Sequence, residues 1–364
     1  MPLDRSRVER FAKQLGVRDP EKFGEAIDDN EAWDFARRPL DVVDLHKYWN
    51  VHGRLDGLTQ LLEFSVTTLL AEVENKAEQD RVSPAEAREG AELLAAATVL
   101  CRQVSFVIED GRAINAPVAL SPQQVLPSSW RAVKVRALLD RAIFDSASYG
   151  CLLFHHRRHA EYLAAMWLER LMAANCPLEA LEEVLFATID GQPTLRPSLE
   201  PVAAWLVKGT NEPWRQRLAR HLLESAPDIH LRWGDPAALP LSYRRDLLAA
   251  IVCRFAGRSL VRVPWNRDAL ARLATPELAD DINGYLRDRA VAEDLKVDFL
   301  MLVCYGKLRA CAPVALELLA DQDASDRLKT YAATVVRDVG TREHRQQAAT
   351  IFERLKKPSD TLIV

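Results

Sequence analysis

Three histidines within five residues are the densest group of chemically active side chains in the sequence. His155, His156 and His159 lie in the segment FHHRRHAEYLAAMWLERL, residues 154–171, with two arginines between them. An imidazole can donate a hydrogen bond to a phosphate, transfer a proton or bind a metal ion. Two further interpretations stay open. One is a solvated basic turn without a ligand. The other is a zinc site, although no neighbouring Cys, Asp or Glu completes a strong zinc signature.

The surrounding pattern predicts that these histidines lie where a strand ends and a helix begins. The β-prone run CLLF at 151–154 follows a turn at 148–150 and an apolar run at 142–144, which predicts two strands joined by a turn. From about Arg158, apolar residues recur at three and four residue spacing, which indicates an amphipathic helix. A helix N-terminus presents unpaired N–H groups and a partial positive charge, so a histidine there can help to bind an anion such as phosphate.

Composition predicts a cytoplasmic globular protein. The 364 residues are 48% hydrophobic and 27% charged, which suffices for two or three domains. The formal net charge of −4 argues against a general nucleic-acid-binding surface. No apolar stretch approaches the roughly 20 residues of a membrane span, and the N-terminal segment is charged and predicts a helix from the start. The six scattered cysteines form no CxxC pair and are expected to be buried thiols.

Helical periodicity dominates the chain before the histidine segment. Helices are predicted at 5–15, 20–28 and 31–37, from Pro39 to Gly53, at 58–78, from the capping box at Ser83 to about 101, and at 130–140, with one brief helix in the proline-rich stretch 117–127. A short strand is predicted at 106–108. Helix, strand, turn and strand then lead into the histidine segment, which is the order of a winged-helix fold.

Helices separated by prolines also fill the chain beyond residue 171. They are predicted at 178–187, 197–208, 213–225, 241–255, 267–273, 276–288, 291–303, 313–321, 324–339 and 341–355. With little strand signal, this favours an irregular α-solenoid of the HEAT or armadillo sort, with a compact helical domain as the alternative. The predicted fold is mainly α: a helical domain (1–57), a winged-helix-like domain (58–171) and an α-helical repeat-like sensor region (172–364).

The histidine segment resembles the end of the winged-helix domain in NACHT-type STAND ATPases. Phe154, a spacer, His156, four further residues, Glu161, an aromatic residue and then Leu163-Ala164-Ala165 follow that family's pattern. In the family the histidine senses the nucleotide phosphate, so the resemblance gives this role to His156. The other two histidines gain no role from it.

A second, weaker resemblance lies near the N-terminus. Ala36-Arg37-Arg38-Pro39-Leu40, followed by an apolar helix, is similar to the family's helical-domain motif, in which a proline packs on the adenine. The resemblance therefore gives Pro39 a nucleotide-binding role, whereas an ordinary helix-start proline is the alternative. Together the two motifs cover about residues 8–171.

One part of the family pattern is missing from this sequence. The phosphate-binding loop GxxxxGK[ST] does not occur. The resemblance thus implies the regulatory and sensor portion of a STAND ATPase in signalling or bacterial antiviral defence, without catalytic activity of its own. ADP or ATP would bind only together with a P-loop domain outside this chain, so we expect a fragment of a longer protein. A protein activator or effector would bind the helical region, and the full-length protein could form homo-oligomers on activation.

Two functions of other classes are kept beside this one. A stand-alone helical scaffold would bind a protein partner and no nucleotide, and four tryptophans could be its interface anchors or part of the core: Trp205, Trp214, Trp233 and Trp265. An enzyme could use the histidine cluster as an acid, a base or a metal site. It lacks a matched nucleophile or carboxylate pair.

Overall fold

The computed structural model describes residues 3–29, 32, 33, 36, 38–71, 82–107, 119–147, 150–208, 212–257 and 267–354. Over these residues the protein is mainly α-helical, as predicted. The chain forms two compact units, Met1–Leu218 and Ala219–Val364. This division lies at a different position from the predicted boundary at residue 171, and the organisation into three domains stays a prediction. None of the described helices combines the length and the apolar character needed to cross a bilayer.

The first unit contains short helices and two small sheets. Its helices are α1 (Arg5–Gln14), α2 (Pro20–Asp29), α3 (Pro39–His52), α4 (Leu58–Leu69), α5 (Pro84–Leu100), α6 (Pro122–Val125), α7 (Ala132–Leu139), α8 (Arg157–Ala173), α9 (Leu178–Leu185), α10 (Glu200–Leu206) and α11 (Pro213–Ser225), the last crossing into the second unit. Its strands are β1 (Phe106–Val107), β2 (Phe144–Ser146), β3 (Cys151–Phe154), β4 (Phe186–Ile189) and β5 (Gln192–Leu195).

Most predicted helices of this unit are confirmed to within a few residues. The predicted helix 58–78 is shorter, because α4 ends at Leu69, and residues 72–78 of that prediction lie outside the described residues. Most of the predicted helix 31–37 also lies outside them. The predicted capping box is present: the Ser83 hydroxyl accepts from the Glu86 N–H at 3.3 Å, and the Glu86 carboxylate accepts from the Ser83 N–H at 3.0 Å.

After α5 the chain forms β1, then α6 and α7, and then β2 and β3, and the three strands pair in one sheet. The winged-helix fold itself stays a prediction. The strands are antiparallel and their order is β1-β3-β2, with Phe144 opposite Phe154 and Phe106 opposite Leu152. The rings of Phe106, Phe144 and Phe154 pack together, with centroids 4.9–5.9 Å apart. This aromatic cluster fixes the end of β3, from which the chain enters α8.

A β-hairpin interrupts the region that was predicted to be helical with little strand. Strands β4 and β5 pair antiparallel, and Ile189 faces Gln192 across a two-residue turn. The turn residues Asp190 and Gly191 have φ of 50° and 74°. The prediction of a helix to residue 187 was wrong at its end, because Asp190-Gly191 favours a two-residue hairpin turn.

The second unit consists of helices that pack on one another in two rows. They are α12 (Leu241–Ala256), α13 (Arg267–Leu273), α14 (Ala279–Arg287), α15 (Glu293–Tyr305), α16 (Ala312–Ala320), α17 (Asp326–Val339) and α18 (Arg342–Arg354). Helix α13 packs on α15 and α15 on α17, whereas α14 packs on α16 and α16 on α18. One apolar core runs through the unit. The solenoid geometry itself stays a prediction.

The cysteines only partly follow the expectation of buried thiols. Cys151 and Cys311 are buried, but Cys101 and Cys253 are exposed. Both exposed residues lie in or next to the last turn of a helix, where the apolar stripe of the helix meets solvent. The apolar residues around each cysteine did not show whether its thiol would face the core or the solvent.

Candidate functional site

His156 is the residue from which α8 begins. It is the N-cap of the helix, with extended backbone, and its Nδ1 accepts a hydrogen bond from the Arg158 N–H at 3.2 Å. Because Nδ1 is the acceptor, the neutral ring carries its proton on Nε2, which makes Nε2 a hydrogen-bond donor. The first turn of α8 contains no acidic residue. A donor imidazole and the positive end of the helix dipole therefore coincide at this point.

His159, one turn along α8, is enclosed by protein. His159 is only 4% exposed. Its Nε2 is hydrogen-bonded to the Ser65 hydroxyl of α4 at 3.1 Å, and its Nδ1 has no partner among the described atoms. Burial, together with the neighbouring His156 and His155, lowers the pKa of His159 to about 3. The imidazole is therefore neutral at physiological pH, and it joins α8 to α4.

His155 lies on the other side of the junction, toward the sheet. Its main-chain N–H donates to the Ile143 carbonyl at 2.8 Å, and its Nδ1–H donates to the Asp145 carboxylate on β2. Its Nε2 is buried and has no partner among the described atoms. The solvated-turn interpretation thus fails for His155 and His159, because both rings are held by other elements. It fits Arg157, whose side chain is 75% exposed.

The two segments that carry the resemblances meet at one small cavity. The first turns of α3 contribute Asp41 and Asp44, and the N-terminal turn of α8 contributes His156 and His159. Ser65 of α4 closes another side. The cavity has a volume of about 20 Å³, which holds one water molecule and no nucleotide. A nucleotide would therefore have to lie outside this cavity, at the edge where the two helices begin.

Pro39 is the first residue of α3 and is exposed to solvent. It does not line the cavity, but Asp41 two residues later does. Asp41 is 9% exposed, and its Oδ2 is buried without a partner among the described atoms. Burial raises the pKa of the Asp41 carboxyl above its usual value, against the opposing effect of the Arg38 charge. The structure thus places Pro39 beside the site, and it adds Asp41, Ser65 and Asp145, which the sequence did not single out.

A polar network holds α8 in position behind the histidines. The Tyr162 hydroxyl donates to Glu63 of α4 at 2.7 Å, and Arg88 of α5 donates to both oxygens of Glu63 at 2.8 and 3.0 Å. Glu92 of α5, which is 3% exposed, accepts from Arg88 at 2.8 Å and from Arg170 of α8 at 2.6 Å. These contacts hold α8 against α4 and α5. Apart from the pair Arg88–Glu92 on α5, the partners are far apart in the sequence, so their spacing does not predict these contacts.

The structure also bears on the other two predicted functions. Among the described residues, no three His, Cys, Asp or Glu side chains are grouped so that they could hold a metal ion. Trp205 is 3% exposed and its ring packs edge-to-face on Tyr162, with centroids 5.2 Å apart, so it belongs to the core. Trp214 is half-buried beneath the Arg215 guanidinium at 4.5 Å, and Trp233 is also half-buried. Trp265 lies outside the described residues.

Comparisons with protein-family models, with curated proteins and with solved structures found no match to this chain.

Proposed function

We propose that the first unit is a nucleotide-sensing regulatory module of a STAND-type ATPase. The observation that carries this proposal is the cavity at which the first turns of α3 and α8 meet, since these two helices carry Pro39 and His156. The sequence resemblance assigns one of these residues to the adenine and the other to a phosphate. Both groups belong to one nucleotide, so the resemblance requires these helices to lie together, and the shared cavity supports the proposal by meeting that requirement.

The proposed phosphate site is the N-terminus of α8. A phosphate group there would accept from backbone N–H groups and from the Nε2–H of His156, and Arg157 would add charge at the solvent edge. Pro39 would present an apolar surface to the adenine at the start of α3. Because the sequence lacks a GxxxxGK[ST] loop, a separate P-loop domain would hold most of the nucleotide.

The proposed mechanism is a shift between two states. ADP that contacts both the P-loop domain and the α3–α8 edge would stabilise a closed state, and exchange for ATP would weaken the contact at His156. The second unit would be the sensor, as an α-solenoid that binds a protein activator. This role would place the protein in the cytoplasm, in signalling or defence against viruses.

Phosphorus NMR of ADP tests the proposal. Without a P-loop domain we expect weak binding, with a dissociation constant of about 1 mM, because only a few contacts remain. The β-phosphorus signal of ADP should broaden and shift on addition of the chain, more than the α-phosphorus signal. His156→Asn should abolish the effect, because asparagine keeps the N-cap but removes the imidazole. The matched control His344→Asn, in the second unit, should leave it intact.

Two results would contradict the proposal. Equal broadening by wild type and His156→Asn would remove His156 from the phosphate site. Micromolar binding by the chain alone would mean that it holds a nucleotide without a P-loop domain, and the proposed division of labour would be wrong.

A stand-alone protein-interaction scaffold is the second candidate, and the packed helical rows of the second unit favour it. It requires no response to ADP, so the same NMR experiment separates the two. A chain that leaves both phosphorus signals unchanged at millimolar ADP is the result expected of a scaffold.

A further inference from the structure

Two buried polar atoms face the small cavity between α3 and α8 without a hydrogen-bond partner. They are Nδ1 of His159 and Oδ2 of Asp41, and neither has a partner among the described atoms. His159 is 4% exposed, Asp41 is 9% exposed, and both residues line the cavity. Buried polar atoms nearly always have a hydrogen-bond partner, which is an ordered water molecule where no protein group serves. The two atoms therefore indicate a ligand in the cavity.

The contact with Ser65 determines which nitrogen of His159 carries the proton. Ser65 is 7% exposed, and among the described residues its hydroxyl is hydrogen-bonded only to His159 Nε2, at 3.1 Å. The hydroxyl therefore donates to Nε2, since its proton would otherwise have no acceptor. Burial lowers the pKa of His159 to about 3, so the ring is neutral at physiological pH and has one proton. That proton lies on Nδ1, which makes Nδ1 a donor.

The carboxylate of Asp41 is held in the first turn of α3. It accepts a hydrogen bond from the main-chain N–H of Arg38, which is the N-cap residue of this helix. Its Oδ2 is the buried acceptor at the cavity. The cavity thus has an acceptor from α3 and a donor from α8.

The size and the polarity of the cavity select the ligand. Its volume of about 20 Å³ exceeds the roughly 10–15 Å³ that one water molecule needs, and it is too small for a larger molecule. The carboxylate of Asp41 would repel an anion, and the Nδ1–H of His159 would point its proton at a cation. A neutral molecule that both donates and accepts fits these two groups, and water is the smallest such molecule.

We propose that the cavity binds one water molecule, which accepts a hydrogen bond from His159 Nδ1–H and donates one to Asp41 Oδ2. Asp44 and Tyr48 also line the cavity and offer oxygen atoms to its second proton. Buried waters typically make two to four hydrogen bonds, so these partners suffice. The water is an internal ligand of the protein, and it requires no nucleotide at the α3–α8 edge.

The water joins the first turns of α3 and α8. Pro39 begins α3 two residues before Asp41, and His156 is the N-cap of α8, three residues before His159. A bridging water is nearly as favourable in enthalpy as a direct hydrogen bond, and it spans two groups that do not touch. Through Ser65 the same chain of hydrogen bonds continues to α4. The position of Pro39 relative to His156 therefore depends on this water.

A high-resolution crystal structure of the full chain tests the position of the water. One water peak should lie about 2.7–3.2 Å from both His159 Nδ1 and Asp41 Oδ2. A direct hydrogen bond between these two atoms would overturn the proposal, and so would an ion at the place of the water.

NMR of the chain with isotope-labelled histidine rings tests the water in solution. The Nδ1 proton of His159 should show a nuclear Overhauser effect to water, and a rotating-frame experiment separates this effect from proton exchange with the solvent. Asp41→Leu removes the acceptor and fills the space, so the effect should be lost. Asp41→Asn should keep the effect, because the oxygen and the NH₂ group of an amide can each bind water. The matched control Asn50→Leu, at an exposed position of α3, should also keep it.

Two NMR results would overturn the proposal. One is a folded wild-type protein in which the Nδ1 proton of His159 shows no effect to water. The other is an effect that Asp41→Leu leaves unchanged. If Asp41→Leu does not fold, Leu61→Phe takes its place, because it enlarges a side chain that lines the cavity and removes no polar group. These samples contain no nucleotide, so their outcome is independent of the phosphate contact proposed for His156.

Discussion

Ser65 on α4 and His159 on α8 are hydrogen-bonded through Oγ and Nε2 at 3.1 Å, although 94 residues separate them in the sequence. Both residues are buried and line the cavity at the start of α8. The bond fixes the helix turn that follows His156, and thus the direction in which the N-terminus of α8 points. The position of the proposed phosphate site depends on it.

Removing the hydroxyl should destabilise the first unit. Ser65→Ala leaves both ring nitrogens of His159 without a partner among the described atoms, and an unsatisfied buried polar group costs about 1–3 kcal/mol. Urea unfolding measures the loss. Thr67→Ala, at an exposed position of the same helix, is the control and should change stability by less than about 0.5 kcal/mol. An equal effect of both variants would mean that the hydrogen bond contributes nothing.

Two glycines should respond to alanine in opposite directions. At both Gly191 and Gly284 an added Cβ meets no atom within 4 Å, so only the backbone decides the effect. Gly191 in the hairpin turn has φ of 74°, and Gly191→Ala should destabilise by about 1 kcal/mol. Gly284 lies within α14, and Gly284→Ala should stabilise by about 0.5–1 kcal/mol. Thermal unfolding measures both, and a shift in the same direction would contradict the turn geometry.

A buried histidine in the second unit should make its stability depend on pH. His230 is hydrogen-bonded to the Tyr243 hydroxyl at 2.9 Å, and burial lowers the pKa of His230 to about 3. Between about pH 3 and 6.5 the unfolded chain binds a proton that the folded chain does not. Stability should therefore fall as the pH is lowered through this window, by about 1.4 kcal/mol per pH unit at most, and be constant above it.

The double variant His230→Phe, Tyr243→Phe isolates this contribution, because it removes both partners and leaves neither polar group unpaired. Hydrogen exchange of peptides from α12, measured at pH 5 and 7, should show a smaller pH difference in the variant than in wild type. The same pH difference in both would mean that His230 is protonated in the folded protein.

Glu92 should be more important for stability than its surface partner. Its carboxylate is buried between Arg88 and Arg170, whereas the Arg170 side chain is 52% exposed. Glu92→Ala removes one of the carboxylates that pair with the half-buried Arg88. It should lower the free energy of unfolding by about 3 kcal/mol. Arg170→Ala breaks the exposed side of the network and should cost about 1 kcal/mol or less. Urea unfolding compares the two, and equal losses would contradict this ranking.

Local sequence patterns predicted the helices and the start of α8, but they could not predict contacts between residues that are far apart in the sequence. The capping box at Ser83 and the helix-start proline at Pro39 act within one turn, so their residues are neighbours in the sequence. The turn Asp190-Gly191 is a local signal as well, but the prediction continued the preceding helix to residue 187 and gave no hairpin. In contrast, Ser65, Asp41 and Asp145 acquire their positions only when α4, α3 and β2 pack at the histidine junction.

His156 at the N-terminus of α8 is proposed to contact a β-phosphate. The most direct measurement is NMR of the chain with isotope-labelled histidine rings, titrated with ADP, pyrophosphate and AMP to about 10 mM, which detects binding in the millimolar range. ADP and pyrophosphate should shift the His156 ring signals, AMP should shift them much less, and the buried His230 should not move. If the His156 signals stay in place with all three ligands, or move equally with AMP, the claim is contradicted.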